Sequence, residues 1–380
     1  MHKAYFGQLI CLFLLCQGVY ALGLTGQQSE NKPVLRYGSL PFPSVMYTTA
    51  QADLGEHSYE GKNTKTGIGF ASLFSLNVGD VDRGIAYTCR LGFIDIAHVR
   101  NGIDYTAYFY AKIKAAMLDR RQFIELKGLE PSIYKVTFNY PERWQDLSPT
   151  ELTEEIDRIA LLGGQYLTHI SMTWHEILTW YGWTVGAIPN AEKSSAFTYD
   201  DIISHLLGTE IAARAILNPA LSFNEAVTLE LNRELDIKDG RLKRLSAHRT
   251  RKLGNSLKGN WYKPIIPHFV YNVKRFTDIG LEKQNLQGVL IPNLDDCKGA
   301  KPVSVIVPGM REFGHGGIYD GLIDVDIDPA VRQKNRILQG LKITTVNVRN
   351  DLGKVMEIME KNMSEEFGED VFINVERKSP

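Results

Sequence analysis

The sequence predicts an α+β fold, a helical central region packed with β-rich N- and C-terminal segments. Three observations predict it. Between residues 92 and 235, apolar side chains recur at helical spacing, with cap residues at the breaks. After Lys263, Pro264, Pro267, Pro292, Pro302 and Pro308 separate short apolar runs of strand length. No internal repeat or low-complexity tract points to a solenoid or a tail.

With 380 residues, 44% of them hydrophobic, the chain can bury a sizeable core in one large domain or two. Lys+Arg 43 balances Asp+Glu 44, so nucleic acid or an anionic membrane surface is not an implied partner. Residues 1–21 read as a signal peptide: His2 and Lys3 start it, Leu9 to Leu15 is apolar, and Val19-Tyr20-Ala21 offers a cleavage site. Lipid anchoring at Cys16 competes with cleavage after Ala21, but Leu15 is bulky for that processing. No later segment approaches a bilayer span, so a periplasmic or secreted protein without a transmembrane segment is expected. Cys89 and Cys297 remain after the signal, and in an oxidising compartment the default is a disulfide between them.

Taken in order, residues 22–66 look loosely structured, and Gly67 to Arg90 suggests one or two strands. A long helix is predicted from about Gly92 to Leu118, with Asp95 and His98 on one face and Gly102 leaving room beside them. Ile133 to Tyr140 alternates as a strand. Ser148, Pro149 and Glu151 then form a capping-box start for a helix stopping at Gly163-Gly164. The central helix is expected over Gln165 to Tyr181, a fourth capped by Thr198 through Leu217, and a fifth capped by Ser222 to Leu235. A mainly helical part, 22–240, would thus precede a β-rich part, 260–380, across a break near 238–262. Strands are expected at Phe269–Val273, Val289–Ile291, Val303–Val307, Leu322–Ile327 and Val371–Val375, with a helix over Leu352 to Phe367.

At Cys89-Arg90-Leu91-Gly92-Phe93-Ile94-Asp95-Ile96-Ala97-His98-Val99-Arg100, and at Trp174-His175-Glu176-Ile177-Leu178-Thr179-Trp180-Tyr181-Gly182-Trp183, the chain resembles a family of exported bacterial proteins. That family is catalogued as a domain of unknown function, number 4056. The resemblance continues through Ser195-Ala196-Phe197-Thr198 and Leu206-Leu207-Gly208-Thr209. It implies an exported bacterial cell-envelope protein and carries over no activity and no catalytic residue.

The stretch around His175 concentrates the candidate chemistry. It holds three of the five tryptophans and the only histidine followed directly by a carboxylate, Glu176. Asp95 with His98, and His175 with Glu176, supply two imidazoles and two carboxylates; on antiparallel helices these could converge on one ion. His205, or Glu210 nearby, would add a ligand or a supporting partner. That donor set suits zinc, iron or manganese and hydrolysis of an envelope substrate, with Glu176 or Asp95 in the catalytic role. It departs from the helical zinc-protease pattern, because Thr179 stands where the second histidine would be. A satisfied buried network in a non-catalytic binding or structural protein explains the same residues. A third reading makes Cys89 a nucleophile at a helix N-terminus. Ser171 and Ser204-His205 lack a Gly-x-Ser-x-Gly elbow. The glycine loop Gly309–Gly321 with His315 reads as surface, Asp324, Asp326 and Asp328 as the charged face of an edge strand, and the basic run Lys238 to Lys258 as solvated.

Overall fold

The structure, a computed structural model, describes residues 85–128, 130–183, 193–266, 269–272 and 274–373. The expected signal peptide, Cys16, the loosely read stretch 22–66 and the strand signals of 67–84 lie outside the described residues. The fold is α+β. Its order is β1 (Ile85–Thr88), β2 (Gly92–Asp95), α1 (Ile96–Leu118), β3 (Phe123–Lys127), β4 (Ser132–Phe138) and α2 (Pro149–Trp180). Then follow α3 (Asp201–Ile216), α4 (Phe223–Leu235), α5 (Ala247–Ser256), β5 (Tyr262–Ile266) and β6 (Phe269–Asn272). The chain goes on through β7 (Asn285–Gln287), β8 (Ser304–Ile306), β9 (Ile323–Pro329), a single turn α6 (Lys334–Ile337), β10 (Val346–Asn347) and α7 (Val348–Phe367). None of the described helices is long and apolar enough to cross a membrane.

Helix α1 packs against both α2 and α3, and this trio holds the site. Its contacts with α2 run in opposite chain order. Thr106 Oγ1 bonds Thr168 Oγ1, while the backbone at Tyr110 lies against Gly164, so the two helices are antiparallel. Ile103, Ile113, Leu167, Ile170, Trp174 and Leu206 are buried between these helices and the surrounding core, each contributing roughly 1.5–3 kcal/mol.

The capping box at Ser148 and Glu151 forms as read, but the helix it starts runs unbroken for 32 residues. The predicted stop at Gly163-Gly164 does not occur. A Cβ on Gly164 would lie 2.7 Å from the Tyr110 nitrogen, and one on Gly163 would lie 2.8 Å from Ile323 Cδ1. The two glycines serve close packing rather than termination. Gly102 is similar: a Cβ there would meet the His205 carbonyl at 2.5 Å and Gly208 Cα at 3.0 Å. The space predicted beside Asp95 and His98 is filled by the α3 backbone.

Other boundaries shift for local reasons. Residues 92–95 are a strand, not helix, because they pair with Ile85–Thr88, and Asp95 becomes the N-cap of α1. Asp200 occupies the cap position of α3, while Thr198 donates its backbone N–H to Asp201 Oδ2. The stretch 238–262 carries α5, and Leu242 within it is buried. The expected strand at Val289–Ile291 is replaced by β7, which pairs with β8. Helix α7 begins four residues earlier than predicted, capped by Asn347. Val371 ends a short 3-10 turn, and the remainder of that predicted strand beyond Ile373 lies outside the described residues.

The main sheet is antiparallel, in the order β10-β9-β4-β3. Strand β9, bearing Asp324, Asp326 and Asp328, is therefore an inner strand and not the predicted edge. Its alternate residues Ile323, Val325 and Ile327 are buried, and Asn347 answers the acidic face through Nδ2 to Asp324 Oδ1 at 3.1 Å and Asp326 Oδ1 at 3.0 Å.

Candidate metal centre

Hairpin β1–β2 and helices α1, α2 and α3 bring six titratable side chains together. Asp95 comes from the end of β2, His98 from the first turn of α1, Glu176 from the last turns of α2, and Asp200, Asp201 and His205 from the start of α3. The ligand atoms of His98, Glu176 and His205 all lie within 4.8 Å of one another, and so do those of Asp95, His98 and Asp200. Ligands on one small transition-metal ion, at roughly 2.1 Å from it, are at most about 4.2 Å apart. The spacing within either triad exceeds that limit by about 0.6 Å at most.

The surrounding backbone aims the carboxylates. Phe197 N–H donates to Glu176 Oε2 at 2.9 Å and Thr198 N–H to Asp201 Oδ2 at 2.6 Å. Phe197 adopts φ +54, a left-handed conformation that costs a residue with a side chain about 1–2 kcal/mol. The strain is held because the residue is fully buried and its N–H is engaged by Glu176. Asp95 Oδ1 accepts from Ala97 N–H at 2.8 Å, and Asp95 N–H donates to Ser204 Oγ at 2.9 Å. Ser204 in turn donates to the Asp200 carbonyl at 2.6 Å, a structural role rather than that of a nucleophile.

His98 stands at the centre of the cluster. Its Nδ1 is 2.9 Å from Asp201 Oδ1, and its ring meets the His205 ring edge-on at 4.8 Å between centroids. Burial alone pulls His98 toward the neutral imidazole. Asp201, then Asp95 and Glu176, outweigh it and hold its pKa at about 10. Burial, followed by the neighbouring Asp201, pushes Glu176 well above the usual carboxyl range; burial, Asp201 and Asp95 do the same to Asp200. His205 is driven well below the ordinary imidazole value by burial and then by His98, and its buried Nδ1 has no hydrogen-bond partner among the described residues.

His175 belongs to neither triad. It is partly exposed, with its ring edge-on to Trp183 at 5.4 Å. Burial, then the positive His98, lowers its pKa to about 4. Glu210 points elsewhere: its Oε1 accepts from Ile306 N–H at 2.6 Å on β8. His315 is exposed on the Gly309–Gly321 loop, 3.4 Å from Asn350 Oδ1, although Phe313 and Tyr319 of the same loop are buried. Cys89 is bridged to Cys297, as the compartment argument expected, so it is no free thiol and the nucleophile reading is overturned.

Asp200 and Asp201 escaped sequence reasoning as site residues, because two acids in a helix's first turn are sufficiently explained by the helix dipole. Their signal was the spacing to Ser204-His205 one turn on, which puts the acids and His205 on one side of α3.

Fold and site together define the class: an α+β protein with a buried histidine–carboxylate cluster among three packed helices. The chain belongs to the family described as "Protein of unknown function (DUF4056)", whose model matches residues 29–284 and so includes every member of the cluster. No curated protein and no solved structure matches it.

Proposed function

We propose that the cluster binds one divalent transition-metal ion through His98, Glu176 and His205, and that the protein is an exported, metal-dependent hydrolase of a cell-envelope substrate. The carrying observation is the burial of two imidazoles and a carboxylate with their ligand atoms within 4.8 Å. Buried ionisable groups are costly unless something compensates them, and a divalent cation compensates several at once. Two nitrogens and one oxygen suit zinc first, and iron or manganese when more carboxylates join.

An ion at such a site supplies Lewis acidity and an acidified water to ester, amide or phosphoester cleavage. The chain's own groups provide the rest. Asp201 orients His98, and Phe197 N–H fixes Glu176. Asp95 and Asp200 stand within reach of the same imidazole and can join as ligands or move a proton. Of the three ligands His98 keeps the most exposure, 12% of its side chain, with partly exposed His175 and Trp183 nearby.

The test is turnover of an ester, amide and phosphoester panel drawn from envelope polymers, with the purified protein metal-stripped, then reloaded with zinc, iron or manganese. Activity that appears only on reloading and vanishes in Glu176→Gln supports the reading. Stoichiometric ion with no turnover on any substrate would leave a structural ion and remove the hydrolase.

A further inference from the structure

The hairpin that delivers Asp95 is gripped from outside by a distant part of the chain. Strands β1 and β2 are joined by Cys89-Arg90-Leu91, and Thr88 Oγ1 closes the turn on Gly92 O at 3.0 Å. Segment 288–303 wraps this turn. Val303 N–H donates to the Arg90 carbonyl at 2.9 Å, Arg90 Nε to the Lys301 carbonyl at 2.9 Å, and Ile291 N–H to Tyr87 Oη at 2.9 Å. Backbone meets backbone: a Cβ on Gly92 would lie 2.2 Å from the Val289 carbonyl. Between the two ends of this wrap, residues 292–301 are mostly exposed and carry Cys297, whose covalent bond to Cys89 spans 208 residues.

We propose that the Cys89–Cys297 disulfide is a redox latch on the ion site, resting on the metal-binding reading above. Cys89 is six residues before Asp95 along a four-residue strand with little slack. Fixing Cys89 therefore fixes where β2 ends and where the Asp95 carboxylate stands relative to His98 and Asp200. Cys297 is partly exposed, so a small external dithiol can attack it. One thiolate of that dithiol forms a mixed disulfide with Cys297 and Cys89 leaves as thiolate. The second thiol then displaces Cys297, so the dithiol is oxidised to its own disulfide while both cysteines gain a proton and become thiols. The hydrogen bonds at Arg90 and Tyr87 persist, so the hairpin stays formed but loses its covalent anchor. Asp95 then contributes less to the ion, as other outer supports of metal sites do.

The experiment compares the mature protein, oxidised, with a Cys89→Ser, Cys297→Ser double variant. Backbone hydrogen exchange over residues 89–99 is measured without metal, and zinc affinity by competition with a chromogenic chelator. The latch predicts faster exchange across β2 and the first turn of α1 in the double variant, unchanged far-ultraviolet dichroism, and zinc affinity roughly tenfold lower. In an Asp95→Asn background, which keeps the cap, opening the bridge should weaken zinc no further. Unchanged exchange overturns the latch whatever the zinc result. Faster exchange with equal zinc affinity in both forms also overturns it. Faster exchange with zinc bound by neither form is the distinct signature of a failed metal reading.

Discussion

Two groups of carboxylates among the described residues meet opposite outcomes. Along β9, Asp324, Asp326 and Asp328 project from one face of an inner strand. Asn347 bonds the first two, and Lys334 pairs with Asp328 at 2.6 Å, where the aspartate side chain is 48% exposed. Around His98, Asp95, Glu176, Asp200 and Asp201 are all buried, Asp201 to 2% exposure, with two imidazoles among them. The strand's acids are answered by water, an amide and an ammonium group. The bundle's acids are answered by one positive histidine, while burial and mutual repulsion raise the Glu176 and Asp200 carboxyls well above their usual range. The number of acids does not single out a candidate site; burial beside imidazole nitrogen does.

The largest expected effect separates the two clusters directly. Replacing His98 and His205 together by alanine should weaken zinc binding at least about 100-fold, since ligands and not merely their supports are removed. An Asp324→Asn, Asp326→Asn, Asp328→Asn variant should leave zinc affinity unchanged in the same chelator competition. Equal losses in both variants would break the comparison.

Acidity sharpens it. His169, buried and bonded through Nε2 to the Ile279 carbonyl, has its pKa lowered by burial to about 4. Its folded-state value is below the unfolded 6.5, so its contribution is full above 6.5 and lost as pH falls toward 4, roughly 3 kcal/mol in all. His98, raised to about 10, contributes oppositely: in full below 6.5, and lost as pH rises through about 10. Urea unfolding of metal-free protein should show His169→Gln flattening the acid slope and His98→Gln the alkaline one. At pH 7, zinc binding should also release a proton, read by calorimetry in buffers of different ionisation enthalpy, because His98, raised to about 10, holds one before the ion enters.

A smaller effect tests the framework around the site. A Cβ on Gly208 would lie 2.2 Å from the Val99 carbonyl, so Gly208→Ala should force α1 from α3 and cost about 1–3 kcal/mol. A Cβ on Gly353, in α7, would meet only Leu281 Cδ1 at 3.6 Å. Gly353→Ala should stabilise by about 0.5–1 kcal/mol in thermal unfolding, from helix propensity alone. The exposed Lys334–Asp328 pair should be worth under about 1 kcal/mol when Lys334 is changed to alanine.

Much of this was legible in the sequence because its causes are local. The Ser148–Glu151 capping box and the Ser222 cap are local signals, and both helices start where those signals place them. Asp95, His98, Glu176 and His205 stood out by residue type and helical spacing, and all four meet in the cluster. What escaped depends on distant partners. Gly163-Gly164 reads locally as a stop, and only Tyr110 and Ile323 lying against them explain why α2 continues. Whether His175 or its neighbour Glu176 faces α1 is a matter of helix rotation, which spacing alone left open. Asp200 and Asp201 gain their importance only when α3 lies against α1.

The most direct measurement is X-ray absorption at the zinc edge on the stoichiometrically loaded protein. The account predicts nitrogen and oxygen scatterers at about 2.0–2.1 Å with longer-range scattering from two imidazoles, one of them lost in His98→Ala and one in His205→Ala. Zinc surrounded by oxygen alone, with spectra unchanged in both variants, would contradict it.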